Sequence, residues 1–255
     1  AIRAAGPSVV VTYAIGGILV YFILFALSEM TVANPDPGSF RTYAAQAFGP
    51  GTGFVVGWVY WTGIALSLSS EAAAASILLR RWIPNVPAFW LSGGIIIAVT
   101  LLNLLGADKL SRLESGLAAI KLLAIVSFIL AAVALITGVF TGNSGTGAKA
   151  GAGILLSEPF SPGGIKGIAG SLLIVIFAFA GFEIIGLAAS EAEDPRKTVP
   201  KAIKYTVLGL VGLYILSVIA ILLLVPTSEI TQEVSPMVAA LTRNGIGWAG
   251  LALNI

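Results

Sequence analysis

The chain contains no cysteine and no histidine. Their absence excludes disulfide scaffolds, thiol nucleophiles, histidine-based metal sites and Ser/His/Asp triads, and few hydrolytic mechanisms survive that. Charge is scarce too: 10% of the 255 residues are charged and the formal net charge is +2, where a soluble domain carries about 25% charged residues. So small an excess gives no argument for nucleic acid. Gly-rich phosphate loops, paired metal carboxylates and CxxC clusters are missing from the sequence, which therefore predicts no cofactor and no bound metal. What is present is apolar: 57% of the residues are hydrophobic and the mean hydropathy is +0.99.

Apolar runs long enough to cross a bilayer cover residues 7–27, 54–79, 88–105, 116–140, 167–190 and 205–225, and another begins at Ile246. This pattern predicts an all-α polytopic protein of the cell membrane. Residues 1–255 form one transmembrane domain of six complete spans and the start of a seventh, over 246–255. Ala1 opens without an initiator Met, and the last run stops at Ile255 after about half the ~20 residues a crossing needs. The chain reads as the middle of a longer protein.

Lysine and arginine set the orientation. The side holding loops 29–52, 106–115 and 191–204 has Arg41, Lys109, Arg112, Arg196, Lys197, Lys201 and Lys204. The other has Arg3, Arg80, Arg81, Lys149, Lys166 and Arg243, and Lys121 falls within a span. Concentration decides, because four cations lie between Arg196 and Lys204, next to two span ends. That loop is placed in the cytoplasm. The Gly/Ser-rich stretch 142–153 then becomes a flexible external loop. Two short segments match in pattern: Ser39 to Gly49 and Ser235 to Gly245 each start at a serine beside a glycine or proline, end at a glycine, and lead into a span. One is cytoplasmic and one external, as an inverted repeat requires. The plain alternative is that many turns between helices look this way.

Glu183 lies within the apolar run 167–190, ~24 Å of helix rise past Gly167, near or beyond the middle of a hydrocarbon core about 30 Å thick. A charge there costs roughly 2.5–3.5 kcal/mol, so such groups are neutralised, paired, or part of a substrate or ion path. Snorkelling to water is the alternative, but Ile184, Ile185, Leu187, Ala188 and Ala189 follow before the charged loop begins. Burial favours the neutral form of a carboxyl, which makes Glu183 the candidate protonation site. Gly181 and Gly186 flank it, and each weakens a helix interior by about 1 kcal/mol relative to alanine. A break at 179–182 would free backbone N–H groups to meet a substrate carboxylate.

Glu71 lies deep in the second span among serines and alanines. It reads equally as a functional carboxylate or as one hydrogen-bonded to a neighbouring helix. Lys121, about five residues into its span, is close enough to the surface to snorkel. Trp58, Tyr60, Trp61, Trp82, Trp90 and Trp248 cluster near span ends, as an interfacial belt does. The pairs Gly16–Gly17 and Gly93–Gly94 read as packing notches.

The segments AIRAAGPS, ALSEMTVANPDPGSFRTYAAQAFGP, GWVYW, IKLLAI and FAFAGFEIIGLAASEAEDPRKTVPKAI together resemble the amino-acid permease family of the amino acid–polyamine–organocation superfamily. The last is the most specific. The resemblance implies a LeuT-type fold of two inverted five-helix repeats, of which this chain would hold family helices 2 to 7 and the start of 8. It implies that Phe179, Ala180, Gly181 and Phe182 form the unwound centre of helix 6, whose backbone holds the substrate amino acid. Phe177 would be the aromatic gate, and Glu183 the helix 6 glutamate linked to protons. Ile64, Leu68 and Glu71 would face the pocket, and Lys121 would stand where sodium-coupled relatives bind sodium. Relatives read FGGTE where this chain reads FAGFE, which implies a smaller or more apolar pocket. The family's helix 1, with its carboxylate-binding turn, is not in this chain. The expected function is secondary active amino-acid uptake with protons, independent of sodium. An exchanger, or a non-transporting sensor using the same site, is the alternative. A membrane-embedded enzyme would need a nucleophile and base for which His and Cys are not available.

Overall fold

A computed structural model describes residues 1–80, 82–104, 107–139, 151–181, 194–231 and 234–248. Every regular element among them is helical: α1 (Ile2–Ala5), α2 (Val9–Ala33), α3 (Ser39–Phe48), α4 (Pro50–Leu79), α5 (Ala88–Asn103), α6 (Ala107–Ile136), α7 (Ala152–Leu156), α8 (Gly164–Ala178), α9 (Pro195–Leu224) and α10 (Pro236–Arg243), with single 3₁₀ turns at Gly6–Ser8 and Thr227–Glu229. Among the described residues four helical stretches are long and apolar enough to cross a membrane, namely Ile2–Ala33, Pro50–Leu79, Arg112–Ile136 and Arg196–Leu224. Ala88–Asn103 and Gly164–Ala178 are apolar but shorter.

Several boundaries differ from the sequence reading, each for a local reason. Residues 107–115, expected as a loop, are the first turns of α6. The run Ala107, Lys109, Leu110, Arg112, Leu113, Glu114 consists of good helix formers, so polarity there marks emergence from the membrane, not the end of the helix. Helix α6 ends at Ile136, short of the expected 140, because Gly138 takes φ 74°, a conformation that closes a helix at little strain. Residues 195–204 likewise open α9 as helix. Pro195 occupies the first turn behind Asp194, where its missing N–H is harmless, and Lys197 pairs with Asp194 at 3.2 Å. In the Gly/Ser-rich stretch, the described part is tied down: the Gly151 N–H donates to the Leu223 carbonyl at 2.9 Å, and α7 follows at once.

The short segments predicted between spans are helices. α3 ends at Gly49 with φ 93°, and α10 is followed by Gly245 with φ 84°. Asn244 fastens α10 to α9, since its Nδ2 donates to the Leu224 carbonyl at 3.1 Å and to Ala240 at 2.8 Å. These are helix-end carbonyls without an intrahelical partner. Arg243 also pairs with Glu229.

The chain divides into two compact units, residues 38–122 and residues 1–37 with 123–255. In the first, α4 packs on α3 and α5. A Cβ at Gly53 would meet Ala45 Cβ at 2.5 Å, so the α3–α4 turn depends on a residue without a side chain. Ser92 donates to the Ala72 carbonyl at 3.4 Å across α4 and α5.

The second unit holds the deeper core. Phe128, Ala132 and Leu135 of α6 are buried with Ile221, Leu224 and Val225 of α9 and Ala240 and Leu241 of α10. Ala5 and Val9 pack with Val218 and Leu222, Tyr13 stacks on Tyr214, and Gly17 faces Val211. The paired numbers rise on α2 and fall on α9, so the two helices are antiparallel. Against α8 both series rise: Ala4 lies against Gly167, Thr12 Oγ1 is 3.2 Å from Ser171 Oγ, and Gly16 faces Val175. α2 and α8 are therefore parallel, as alternating spans demand of the first and fifth.

Gly16 and Gly17 serve different neighbours because successive residues point ~100° apart on a helix. A Cβ at Gly16 would come within 2.9 Å of Val175, and one at Gly17 within 2.7 Å of Val211. Around Gly93 and Gly94, by contrast, no described atom lies within 4 Å of an added Cβ, so among the described residues these two have no neighbour that a notch would admit. Gly17→Ala is expected to destabilise the full-length protein by ~1–3 kcal/mol, the range for overpacking. Gly93→Ala should be neutral or stabilising, since alanine is the better helix former by about 1 kcal/mol. Thermal unfolding of both variants in detergent checks the contrast, and equal losses would contradict it.

Candidate functional site

Helix α8 spans 15 residues, which is ~22 Å of rise against a hydrocarbon core of about 30 Å. It stops inside apolar sequence, at Ala178, one residue before the expected break. The last turn tightens: the Phe179 N–H reaches the Val175 and Ile176 carbonyls at 3.2 and 3.1 Å, and the Ala180 N–H reaches Phe177 at 3.0 Å. Gly181 then takes φ 97°, which glycine adopts without the penalty a side chain brings. Backbone thus leaves the helical ladder next to Glu183, although Phe182 and Glu183 themselves lie outside the described residues.

The side chains at this end divide sharply. Phe177 is 52% exposed and Phe179 5% exposed, and Ala180 and Gly181 are exposed. Phe179 is occupied by packing. Its ring meets Tyr214 edge-on at a centroid distance of 5.2 Å and Tyr13 at 6.1 Å, while the two tyrosines stack at 5.7 Å. Gly16 lies beneath the same ring, where an added Cβ would be 3.5 Å from it. Only the main chain of Phe179 is left for a ligand, whereas the ring of Phe177 is exposed. Tyr214 also reaches the backbone, since its hydroxyl donates to the Ala178 carbonyl at 3.2 Å.

Ile64, Leu68 and Glu71 sit on one face of α4, at i, i+4 and i+7, and all three are exposed. Lys121 is exposed in the middle of α6. With α6 helical from Ala107, it lies 14 residues from the helix start and not near an end. These four residues belong to the unit 38–122, and residues 177–181 to the other.

Tyr13 and Tyr214 did not stand out in the sequence. A usable signal was present, because a tyrosine within an apolar span brings a hydroxyl that needs a partner. A cavity of about 320 Å³ lined by Arg3, Glu158, Pro159, Pro162, Thr227 and Ser228 lies at the opposite end of α8. There Glu158 Oε1 accepts from the Thr227 N–H at 2.8 Å. That cavity does not coincide with the interrupted end of α8.

The sequence matches the family described as amino acid permease over residues 1–255. It is similar to the amino-acid permease RocC of Bacillus subtilis, with 33% identity over 99% of this chain and 54% of the relative. The gamma-aminobutyric acid permease of the same organism is 34% identical over 99% of this chain and 53% of its own length. The aromatic amino acid transport protein AroP of Escherichia coli O6:H1 is 31% identical over 100% of this chain and 55% of its own. The chain spans about half the length of these relatives. With a match along its whole length and an apolar, all-helical fold among the described residues, the chain belongs to the amino acid permease family, whose members are multi-pass plasma-membrane proteins.

Proposed function

We propose that the full-length protein is a secondary active transporter that takes up an amino acid with a proton by alternating access, without sodium. The observation that carries this reading is the termination of α8 at Ala178, followed by the positive φ of Gly181, in the middle of an apolar segment. Unsatisfied backbone is tolerated at membrane depth only where protein or a polar cavity receives it. A zwitterionic substrate supplies such partners. In this proposal the backbone of Phe179, Ala180, Gly181 and Phe182 binds the substrate's carboxylate and amino groups, and Phe177, exposed at the helix end, closes over it. In the same reading Ile64, Leu68 and Glu71 are substrate-contacting residues of a LeuT-type protein, with α3 and α10 as the matching short helices of two inverted repeats.

Glu183 is the proposed proton site, because a carboxyl at that depth is far cheaper neutral than charged. Lys121 provides a fixed ammonium in place of sodium. Its position in mid-helix, ~21 Å of rise from the start of α6, makes surface snorkelling a poorer account of it. The reaction makes and breaks no covalent bond. The relatives named above point to amino acids as the substrate class, and Phe182 in place of a small residue favours apolar side chains.

The test is uptake of labelled amino acids into proteoliposomes holding the full-length protein. Wild type should accumulate substrate under an inward proton gradient, and Glu183→Gln should lose the gradient-driven component while retaining binding. Binding without flux in wild type would instead indicate a sensor, and flux only against internal substrate an exchanger. Replacing sodium with choline should leave binding unchanged, and Lys121→Ala should abolish transport. Strict sodium dependence would remove the Lys121 assignment.

A further inference from the structure

Two opposite charges line one cavity without pairing. Arg3 and Glu158 both face the cavity of about 320 Å³ at the start of α8, with Thr227, Ser228, Pro159 and Pro162 completing its lining. They form no ion pair with each other, and the Arg3 guanidinium has no hydrogen-bond or ion-pair partner among the described residues. The charges beside them do find one another, since Glu229, next to Ser228 in the chain, pairs with Arg243. Glu158 commits one carboxylate oxygen to the Thr227 N–H at 2.8 Å. Its other oxygen retains its acceptor sites.

The backbone that carries these groups is fastened. The Ser8 N–H donates to the Phe160 carbonyl at 2.8 Å. The Ala4 carbonyl is seated against Gly163 and Gly167, where an added Cβ would approach it to 2.5 and 2.6 Å. Pro159 and Pro162 have their φ fixed by the ring. Arg3 therefore sits on a segment locked to the one that carries Glu158, and the Glu158 bond ties in the Thr227 turn. In the orientation read from lysine and arginine, all three segments fall on the side opposite the cytoplasmic loop 191–204.

The geometry points to an outer binding site for a free amino acid, its carboxylate on Arg3 and its ammonium group on Glu158. A guanidinium receives a carboxylate through two parallel hydrogen bonds, and the second Glu158 oxygen accepts from an ammonium. A simple anion would leave Glu158 facing like charge, and a simple cation would do the same to Arg3. A ligand with both charges satisfies both residues. The volume is at the lower end of the range for small-molecule pockets, about 300–1,000 Å³, which suits an amino acid. The 15 residues of α8 put ~22 Å of rise between this cavity and the helix end at Ala178, so one such ligand cannot occupy both. The outer site rests on the unpaired charges and not on the transport reading. An ethanolamine phospholipid headgroup carries the same two charges, and the experiment separates the two sources.

The full-length protein is placed in nanodiscs of phosphatidylglycerol, a lipid without an ammonium group, and amide hydrogen exchange is followed over residues 226–230 and 179–181. The standard L-amino acids are titrated one at a time, with acetate and ethylammonium as single-charge controls. At least one amino acid should slow exchange at 226–230 saturably, and neither control should do so at the same concentration. Arg3→Gln and Glu158→Gln should each raise the midpoint about tenfold, the factor for losing a hydrogen bond to a charged group. Glu158→Gln keeps an acceptor for the Thr227 N–H, and Arg3 is exposed, so both variants should melt with wild type. Should one fail to fold, the midpoint of the other decides. No slowing by any amino acid, equal slowing by either control, or an unchanged midpoint in a folded variant overturns the inference. So does slowing produced by added phosphatidylethanolamine in place of an amino acid. Slowing at 226–230 with none at 179–181 supports the outer site and removes the substrate site proposed at the end of α8. The reverse removes the outer site alone.

Discussion

A polypeptide in hydrocarbon must satisfy its backbone hydrogen bonds internally, because no water is there to do so. This constraint explains why the described chain is helical at every regular element, and it makes the end of α8 inside an apolar run informative. Where α8 stops, its last carbonyls need partners from elsewhere. The chain supplies one from Tyr214, and the tight turns at Phe179 and Ala180 supply others. At the far end of the unit the same requirement recurs in a different form. Leu223 and Leu224, at the end of α9, have carbonyls that accept from Gly151 and Asn244, so the segments after each helix are fastened to what came before.

Packing of the unit formed by residues 1–37 and 123–255 follows from where side chains are missing. Helices in lipid gain little from burying apolar surface against one another, and close approach of backbones through small residues takes its place. α2 shows this twice, with Gly16 against α8 and Gly17 against α9. Farther along, Gly163 and Gly167 admit the Ala4 carbonyl, which an added Cβ would approach to 2.5 and 2.6 Å. Thr12 and Ser171 meet between these contacts, a pair of hydroxyls that satisfy each other where water is excluded. The many exposed apolar residues, such as Phe22, Trp61 and Phe89, are what a lipid-facing surface requires.

Much of the fold was legible because hydrophobic length is read directly from residues. The order of helices, the short helices α3 and α10, and the glycines that end them follow from apolar runs and Ser/Pro/Gly punctuation. The starts of α6 and α9 were not legible in the same way. Polarity reports where a chain leaves the membrane, whereas helix propensity reports where the helix begins, and at Ala107 and Pro195 these are different positions. The roles of the paired glycines also needed the structure. Gly16–Gly17 and Gly93–Gly94 are alike in sequence, and among the described residues only the first pair has neighbours close enough to require them.

The candidate site divides along the same line. Composition and spacing alone determined that this is a polytopic membrane chain without thiol or imidazole chemistry, that a carboxylate sits deep in an apolar run, and that glycine beside it permits a break. These are properties of one segment at a time. Tertiary structure decided what becomes of the end of α8: that Phe179 is committed to packing while Phe177 is exposed, and that Tyr13 and Tyr214, from helices separated by some two hundred residues of numbering, gather around Phe179. A hydroxyl's partner is a matter of distance in space, and one sequence holds no record of which remote carbonyl lies 3.2 Å away.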